Sequence, residues 1–402
     1  MMKALLSVFC ALLSLTPALG ATLPGGSHSQ NNCELRPLGP GRDDTDQVEA
    51  AIAKCGHFGT TTFAEGSYNI TRKMTWDLVS AKVDLKGYLN FPPDIDFWLN
   101  ANNTYRVVFI QSQASWFVVT GSDFEVDAHN KGGIQGNGQP WWTYFATHTR
   151  EDGDGRPISL TLFKVTRGTI SNFRIQSPPF WSNAVAESSD VVYNGMFINA
   201  TNTNPLYAGQ NIVPNTDGID TYRSDRVSLL NWDVTCGDDC IAVKGNSTNI
   251  ELRNITCRGG NGIAIGSLGQ YINMPDYVNN VEMDTLQMIR LDPSVQPNMG
   301  TGVYFKSFDG SVNGSPPTAG GGANVVDIAC SPAAICDDIS FENFNVAPPA
   351  GEAPRLICQN TANVTGLTGS DALQHLAIPL VRHESGLAGH AIVMELGKSR
   401  SF

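Results

Sequence analysis

The feature that most constrains this chain is a short strand-like pattern that returns at a nearly fixed interval. Each occurrence has a β-branched or aliphatic residue, a few alternating positions, a second apolar residue and then a polar corner. The pattern starts at Ile170, Val192, Val227, Ile250, Val281 and Ile339, and these starts lie 22, 35, 23, 31 and 58 residues apart. A unit of about twenty-two residues with loops inserted at some turns accounts for the gaps, the last one holding two units. Periods in this range belong to solenoids, in which each repeat buries its apolar face only against its neighbours. The corners are rich in Asn and Gly and the units carry no amphipathic helix, so the solenoid is built of strands. Alternating residues such as Ile250, Leu252 and Ile255 are expected to stack in its interior. A β-sandwich, which also uses short strands, is the weaker reading.

The ends of the chain read differently. Between Asp46 and Cys55, Val48 and Ile52 fall at helical spacing, which suggests a short N-terminal helix capping the open end of the solenoid. The segment Gly132–Trp142 is a sharp glycine-rich corner followed by aromatics. Trp141 and Trp142 are expected to cover the core, with stacking on a sugar as the alternative. Beyond Gly320–Gly322 the pattern fades and a coil is suspected to be missing near 320–325. The tail 366–402 is expected to be irregular, and its His375, His383 and His390 are too scattered for a metal site. One domain, 21–365, is therefore expected between a leader at 1–20 and this tail.

Three motifs carry chemistry: Asn215-Thr216-Asp217, Gly237-Asp238-Asp239 and Gly260-Asn261-Gly262. Asp217 and Asp239 are 22 residues apart, and Asp238 and Asn261 are 23 apart, each a single coil by the period above. Equivalent positions on adjacent coils lie about 4.8 Å apart, so the three motifs stack and gather three acids in one patch. Asp and Asn are also common turn formers, but turns alone do not explain acids stacked across successive coils. Crowded carboxylates repel, which keeps one protonated while its neighbours stay ionised. That is the requirement for hydrolysis of a glycosidic bond, in which an acid protonates the leaving oxygen while a carboxylate activates water or attacks directly.

The blocks Asn215-Thr-Asp-Gly-Ile-Asp220, Cys236-Gly-Asp-Asp-Cys-Ile-Ala-Val-Lys244 and Gly259-Gly-Asn-Gly-Ile-Ala-Ile-Gly-Ser267 resemble the signature blocks of the polygalacturonase family, glycoside hydrolase family 28. The resemblance spans about 40–310 and 325–360, and the tract Gly266–Tyr271 is most similar to the fungal exo-acting branch. It implies an all-β, right-handed parallel β-helix that hydrolyses α-1,4-galacturonosyl linkages with inversion. By the same resemblance Asp238 is the general acid, and Asp217 and Asp239 hold and activate the water. Inversion calls for about 6.5–9.5 Å between acid and base. Asn215 is carried over as a substrate contact. Two positions depart from the family pattern. Asn261 stands where the family has His, and Asn cannot titrate. Tyr304-Phe305-Lys306 stands where the family has Arg-Ile-Lys, so Lys306 remains to meet a carboxylate while Tyr304 offers an aromatic face instead of a guanidinium fork. These departures open rhamnogalacturonan or xylogalacturonan as alternative substrates. A pectate-lyase-like enzyme or a non-catalytic carbohydrate-binding solenoid are rivals of other kinds. Exo action needs a loop closing the cleft, for which Thr201–Pro214 and Tyr271–Tyr277 are the candidates.

Lys3, the apolar run Ala4–Leu15 and the small-residue exit Ala18-Leu19-Gly20 read as a signal peptide, so export is expected. Loss of Cys10 with the leader leaves eight cysteines, an even number suited to an oxidising compartment. Local disulfides are expected at Cys33–Cys55, Cys240–Cys257 and Cys330–Cys336, with Cys236 and Cys358 unplaced. Sequons at Asn69, Asn102, Asn199, Asn246, Asn254, Asn313 and Asn363 suit an exported glycoprotein. A formal net charge of −12 argues against nucleic acid, and no span or metal site is read, so the expected partner is a pectic polysaccharide or oligogalacturonide, met by a monomer without cofactors.

Overall fold

The computed structural model describes residues 31–111, 113–148, 155–271, 274, 276–299, 301–307, 324–330, 336, 339, 355–366, 372–374 and 394–395. The leader at 1–20, Asn313 and the three tail histidines lie outside these residues. Among them, no helix is long and apolar enough to cross a membrane.

The chain winds as a right-handed parallel β-helix, and 24 of its strands form one continuous hydrogen-bonded sheet. Strands stack in parallel register: Val191 pairs with Val227, Val227 with Ile250 and Ile250 with Val281. The three repeat starts Val227, Ile250 and Val281 therefore occupy equivalent rungs. Val192 does not. It pairs with Ser228 and faces outward, while its neighbours Val191 and Tyr193 are buried. Ile250, Leu252 and Ile255 point inward and are buried, as the alternation requires.

Each coil has a short strand, such as Asp239–Val243, and a long one, such as Ser247–Arg258, that bends near its middle. The bend falls at Asn231 and Asn254, whose φ values of 58° and 56° are left-handed. Asn tolerates that conformation better than most residues. Asn254 Nδ2 donates to Asn231 Oδ1 at 2.8 Å, and Asn231 Nδ2 donates to Asn194 Oδ1 at 2.7 Å. This ladder is the structural use of the asparagine-rich corners.

The helix Thr45–Cys55 caps the N-terminal end and buries Val48, Ile52 and Cys55 against the first coils. Disulfide Cys33–Cys55 ties it to the strand Asn32–Leu35. The other two expected pairs, Cys240–Cys257 and Cys330–Cys336, also form, and Cys236 is a buried thiol. Trp141 and Trp142 lie on the helix Gly138–Phe145 and are buried, so they serve the core and not a sugar.

Val303–Ser307 is followed in the ladder by Asn324–Ala329, with Val303 opposite Val326, a separation of 326 − 303 = 23 residues and one coil length. Two short pieces of the tail, Ala372–Gln374 and Met394–Glu395, add further parallel rungs, although the sequence there shows no strand pattern. Of the sequons, Asn102, Asn254 and Asn363 are exposed, while Asn69, Asn199 and Asn246 are half-buried.

Candidate active site

The acids sit at the corner between the long strand of one coil and the short strand of the next. Asp220 pairs with Ala242, and Asp239 with Gly262, so the offsets of 22 and 23 residues are those that place Asp217 beside Asp239 and Asp238 beside Asn261. Backbone hydrogen bonds close these contacts: Gly218 N donates to Asp239 O at 3.0 Å and Asn261 N to Asp238 O at 2.7 Å. One oxygen from each of Asp217, Asp238 and Asp239 lies within 4.8 Å of the others.

The three acids have different surroundings. Asp238 keeps a partly exposed edge. Its Oδ2 accepts from the Asn215 backbone N–H at 2.9 Å and from Asn215 Nδ2 at 3.3 Å, while its Oδ1 accepts from Asp239 N and Asn261 Nδ2, both at 3.0 Å. Burial and then the Asp239 charge push its carboxyl above the ordinary range, against the opposing pull of Lys306 and the Asn215 N–H. Asp217 is buried and pushed well above that range, first by burial and then by the charges of Asp220, Asp238 and Asp239. Its Oδ1 has no hydrogen-bond partner among the described residues. Asp239 is buried and accepts at both oxygens, from Lys306 Nζ at 2.9 Å and from the Tyr304 hydroxyl, as an ionised carboxylate does.

Lys306 and Tyr304, expected at the substrate, thus spend their polar ends on Asp239. Small Ala242 and Ala264 stand in the row between Asp220 and Tyr304, which leaves room for the long side chains to reach back. Asn215, also expected at the substrate, holds Asp238. Asn261 donates to Asp238 and, at 3.4 Å, to Asp239.

Several residues that the sequence reading did not single out complete the corner. Asn298 Nδ2 donates to Asn261 Oδ1 at 2.8 Å and to Gly237 O at 3.0 Å, which fixes the Asn261 amide with its donors toward the acids. Arg156 is 1% exposed; its Nη2 donates to Asn215 Oδ1 at 3.0 Å and its Nη1 to Pro179 O and Pro214 O, both at 3.2 Å. Beneath the trio, Lys244 pairs with Asp220 at 3.0 Å, with side chains 4% and 1% exposed. Burial, opposed by Lys244, sets the Asp220 carboxyl at about 7. Asn298 and Arg156 lie in loops with no period, and only Lys244 and Asp220, inside the motif blocks, had a visible signal.

The insertion 201–214 walls one side. Gly209 N donates to Ser294 O at 3.0 Å, Asn211 Nδ2 to Gly237 O at 2.8 Å and Gln296 Nε2 to Asn211 Oδ1 at 3.3 Å. Gly237 permits this approach, because a Cβ there would strike Val213. From the other candidate loop, the Tyr271 hydroxyl accepts from the Gln111 backbone N–H.

Comparison with known proteins bears on this corner directly. The family described as Glycosyl hydrolases family 28 matches residues 73–296, which include all three acids and Asn261. The chain belongs to this family. As a family 28 member it is a glycoside hydrolase. It is 41% identical over 309 residues to a protein named galacturan 1,4-alpha-galacturonidase A from Aspergillus niger, covering 76% of this chain and 69% of that one. It is also 31% identical over 298 residues to an alpha-L-rhamnosidase, rgxB, of Aspergillus niger, covering 73% and 65%. The chain thus spans about two thirds of the length of these curated relatives. Among solved structures, endo-xylogalacturonan hydrolase from Aspergillus tubingensis superposes with a TM-score of 0.57 at 24% identity, covering 78% of this chain and 76% of that one, a likeness of fold.

The trio is also the group of described residues whose donor atoms are spaced for a cation. The Lys306 ammonium on Asp239 already supplies a positive charge there.

Proposed function

We propose that the protein is exported and removes galacturonate from an end of α-1,4-linked pectic galacturonan by acid–base hydrolysis. The observation that carries this reading is the gathering of Asp217, Asp238 and Asp239 within 4.8 Å. Asp238 is the general acid: its raised proton affinity and its partly exposed edge suit a group that hands a proton to the glycosidic oxygen. Asp239, ionised against Lys306, and the unpartnered Oδ1 of Asp217 hold the attacking water between them. Two oxygens within 4.8 Å can both bond one water at ordinary hydrogen-bond lengths.

The spacing is shorter than the usual inverting separation of about 6.5–9.5 Å. That rule places acid and base on opposite faces of the sugar. Here the three acids share one corner, so inversion requires the sugar to turn its glycosidic oxygen to Asp238 and the opposite face of its anomeric carbon to a water held by Asp217 and Asp239. Exo action is supported by the wall that residues 201–214 and 291–298 raise beside Asp238, and by the name of the 41% identical relative.

Tyr304 favours a second reading. With no guanidinium at this position and Lys306 committed to Asp239, the corner offers less to a galacturonate carboxylate than the family pattern does. A rhamnogalacturonan or xylogalacturonan end is the alternative, in keeping with the name of the 31% identical rhamnosidase. The test is product analysis on polygalacturonate, xylogalacturonan and rhamnogalacturonan, with Asp238→Asn alongside. Galacturonate released from polygalacturonate by the unaltered protein alone is the expected result. Release from a mixed or substituted backbone alone moves the assignment to the second reading, and equal behaviour of the two proteins removes the catalytic one.

A further inference from the structure

Away from the acids, on earlier coils, the solenoid carries a recess of about 560 Å³ lined by Glu65, Ser67, Lys86, Tyr88, Lys131 and the amides of Asn90, Gln135 and Gln176. Its base is a parallel ladder in which Tyr88 lies opposite Gly133, and Gly133 opposite Arg174. Gly133 has φ 147°, and a Cβ there would collide with the Arg174 backbone, so the rung between Tyr88 and Arg174 bears no side chain. That missing side chain opens the recess beside the Tyr88 ring.

Two of its three amides have their oxygens hydrogen-bonded within the protein. Asn90, Gln135 and Gln176 stack in register on adjacent coils. Asn137 Nδ2 donates to Asn90 Oδ1 at 3.0 Å, and Asn137 N donates to Gln135 Oε1 at 3.0 Å. Both amide oxygens thereby accept from Asn137, while the NH₂ groups of Asn90 and Gln135 have no acceptor among the described residues. Lys131 pairs with Glu65 at 2.6 Å, and Lys86 has no carboxylate within ion-pair reach among the described residues. Two ammonium groups facing one carboxylate stand out on a chain of net charge −12. Donor amides, a second ammonium beyond the Lys131–Glu65 pair and an aromatic face match the acceptor oxygens, carboxylate and C–H face of an acidic sugar.

We propose that this recess is a second, non-catalytic binding site for a carboxylate-bearing sugar unit. Its row continues from Gln176 to Asn199 and then Thr235, the residue before the catalytic corner. Two rungs at about 4.8 Å each separate Gln176 from Thr235. A long acidic polysaccharide anchored at the recess is therefore held near the acids, whereas a short oligosaccharide gains nothing from it. The inference does not rest on what the acids cleave, since none of the lining residues belongs to that corner.

The test is affinity electrophoresis through gels containing polygalacturonate, with neutral galactan gels as the control, using Asp238→Asn so that the polymer stays intact. The Lys86→Gln/Lys131→Gln pair is expected to weaken retardation by polygalacturonate at least about fivefold, and Tyr88→Ala likewise, with Tyr88→Phe restoring it. Without the Asp238 change, the lysine pair is expected to keep its rate on a galacturonate trimer. Unchanged retardation in both variants, or equal retardation by galactan, overturns the proposal. Loss of trimer hydrolysis in the lysine pair also overturns it, by placing those residues in the catalytic site or the folding core. Asn69 heads a sequon and pairs in register with Asn90, so Asn69→Gln is run in parallel. Lysine-dependent retardation seen only in that variant assigns the recess to an attached glycan and overturns the proposal as well.

Discussion

Removing the Lys306 ammonium, as in Lys306→Met, perturbs the corner at the cation that pairs with Asp239. The ammonium lies 2.9 Å from Asp239 Oδ2, with side chains 16% and 1% exposed. At an effective dielectric constant of about 20, two unit charges at this distance attract by roughly 6 kcal/mol. Burial works against the lysine charge, yet Asp239, Tyr304 and Asp238 together hold its proton well above the ordinary lysine range. The lysine therefore keeps its charge in the pair, and removing it strands a buried carboxylate at a cost of about 3–5 kcal/mol. At about 2 °C per kcal/mol, a value at the low end for a large domain, the melting temperature is expected to fall by roughly 6–10 °C. The acids respond too, because Lys306 lowers the proton affinity of Asp238. Without it the cluster holds its protons to higher pH, and each 1.4 kcal/mol or so lost moves a limb of the rate profile up by about one unit. Thermal melts and a pH–rate profile read the two effects separately. A melting temperature within about 2 °C of the unaltered protein and an unmoved profile would refute the reasoning. A lower melting temperature with an unmoved profile would reduce Lys306 to a structural role.

Other consequences are as direct. Asp220, held at about 7 against an ordinary 3.8, gives the native state more bound protons than the unfolded chain between those values, and Asp217 and Asp238 are shifted in the same sense. Stability is therefore expected to fall as pH rises from about 4 to 7, and melting temperatures that are flat or rising across that window contradict this. Lys244→Met removes the partner of buried Asp220 and should destabilise the protein by about 3–5 kcal/mol, read by denaturant unfolding at pH 7. Asn298→Ala frees the Asn261 amide, so kcat should fall about tenfold with KM little changed; a pure KM effect argues for a substrate contact instead. Chelation by EDTA should leave the rate on polygalacturonate unchanged, and a loss restored by added Ca²⁺ would favour the lyase-like reading.

The solenoid and its acid patch were legible because one number governs both. A coil of about 22 residues returns each side chain to a place one strand away, so the spacing of Asp217, Asp238, Asp239 and Asn261 carried their proximity directly. The alternation was harder to read at Val191-Val192-Tyr193, where every residue is apolar. There the pattern cannot say which face is inward, and the repeat start at Val192 falls one residue away from the rung of Val227. Tyr304 and Lys306 were found at the corner, but their partner was not, because reach across the alanine row depends on neighbours two coils away. Asn298 and Arg156 left no trace. A polar residue in a loop has no period, and its role exists only through the amide it orients.

The chemistry of the corner is tested most directly by the sugar first released from a galacturonate trimer, observed by ¹H NMR before its anomers equilibrate. A water held by Asp217 and Asp239 opposite the glycosidic oxygen that Asp238 protonates predicts monomeric galacturonate appearing as the β-anomer, with no release by Asp238→Asn. First appearance of the α-anomer, or undiminished release by Asp238→Asn, would contradict it.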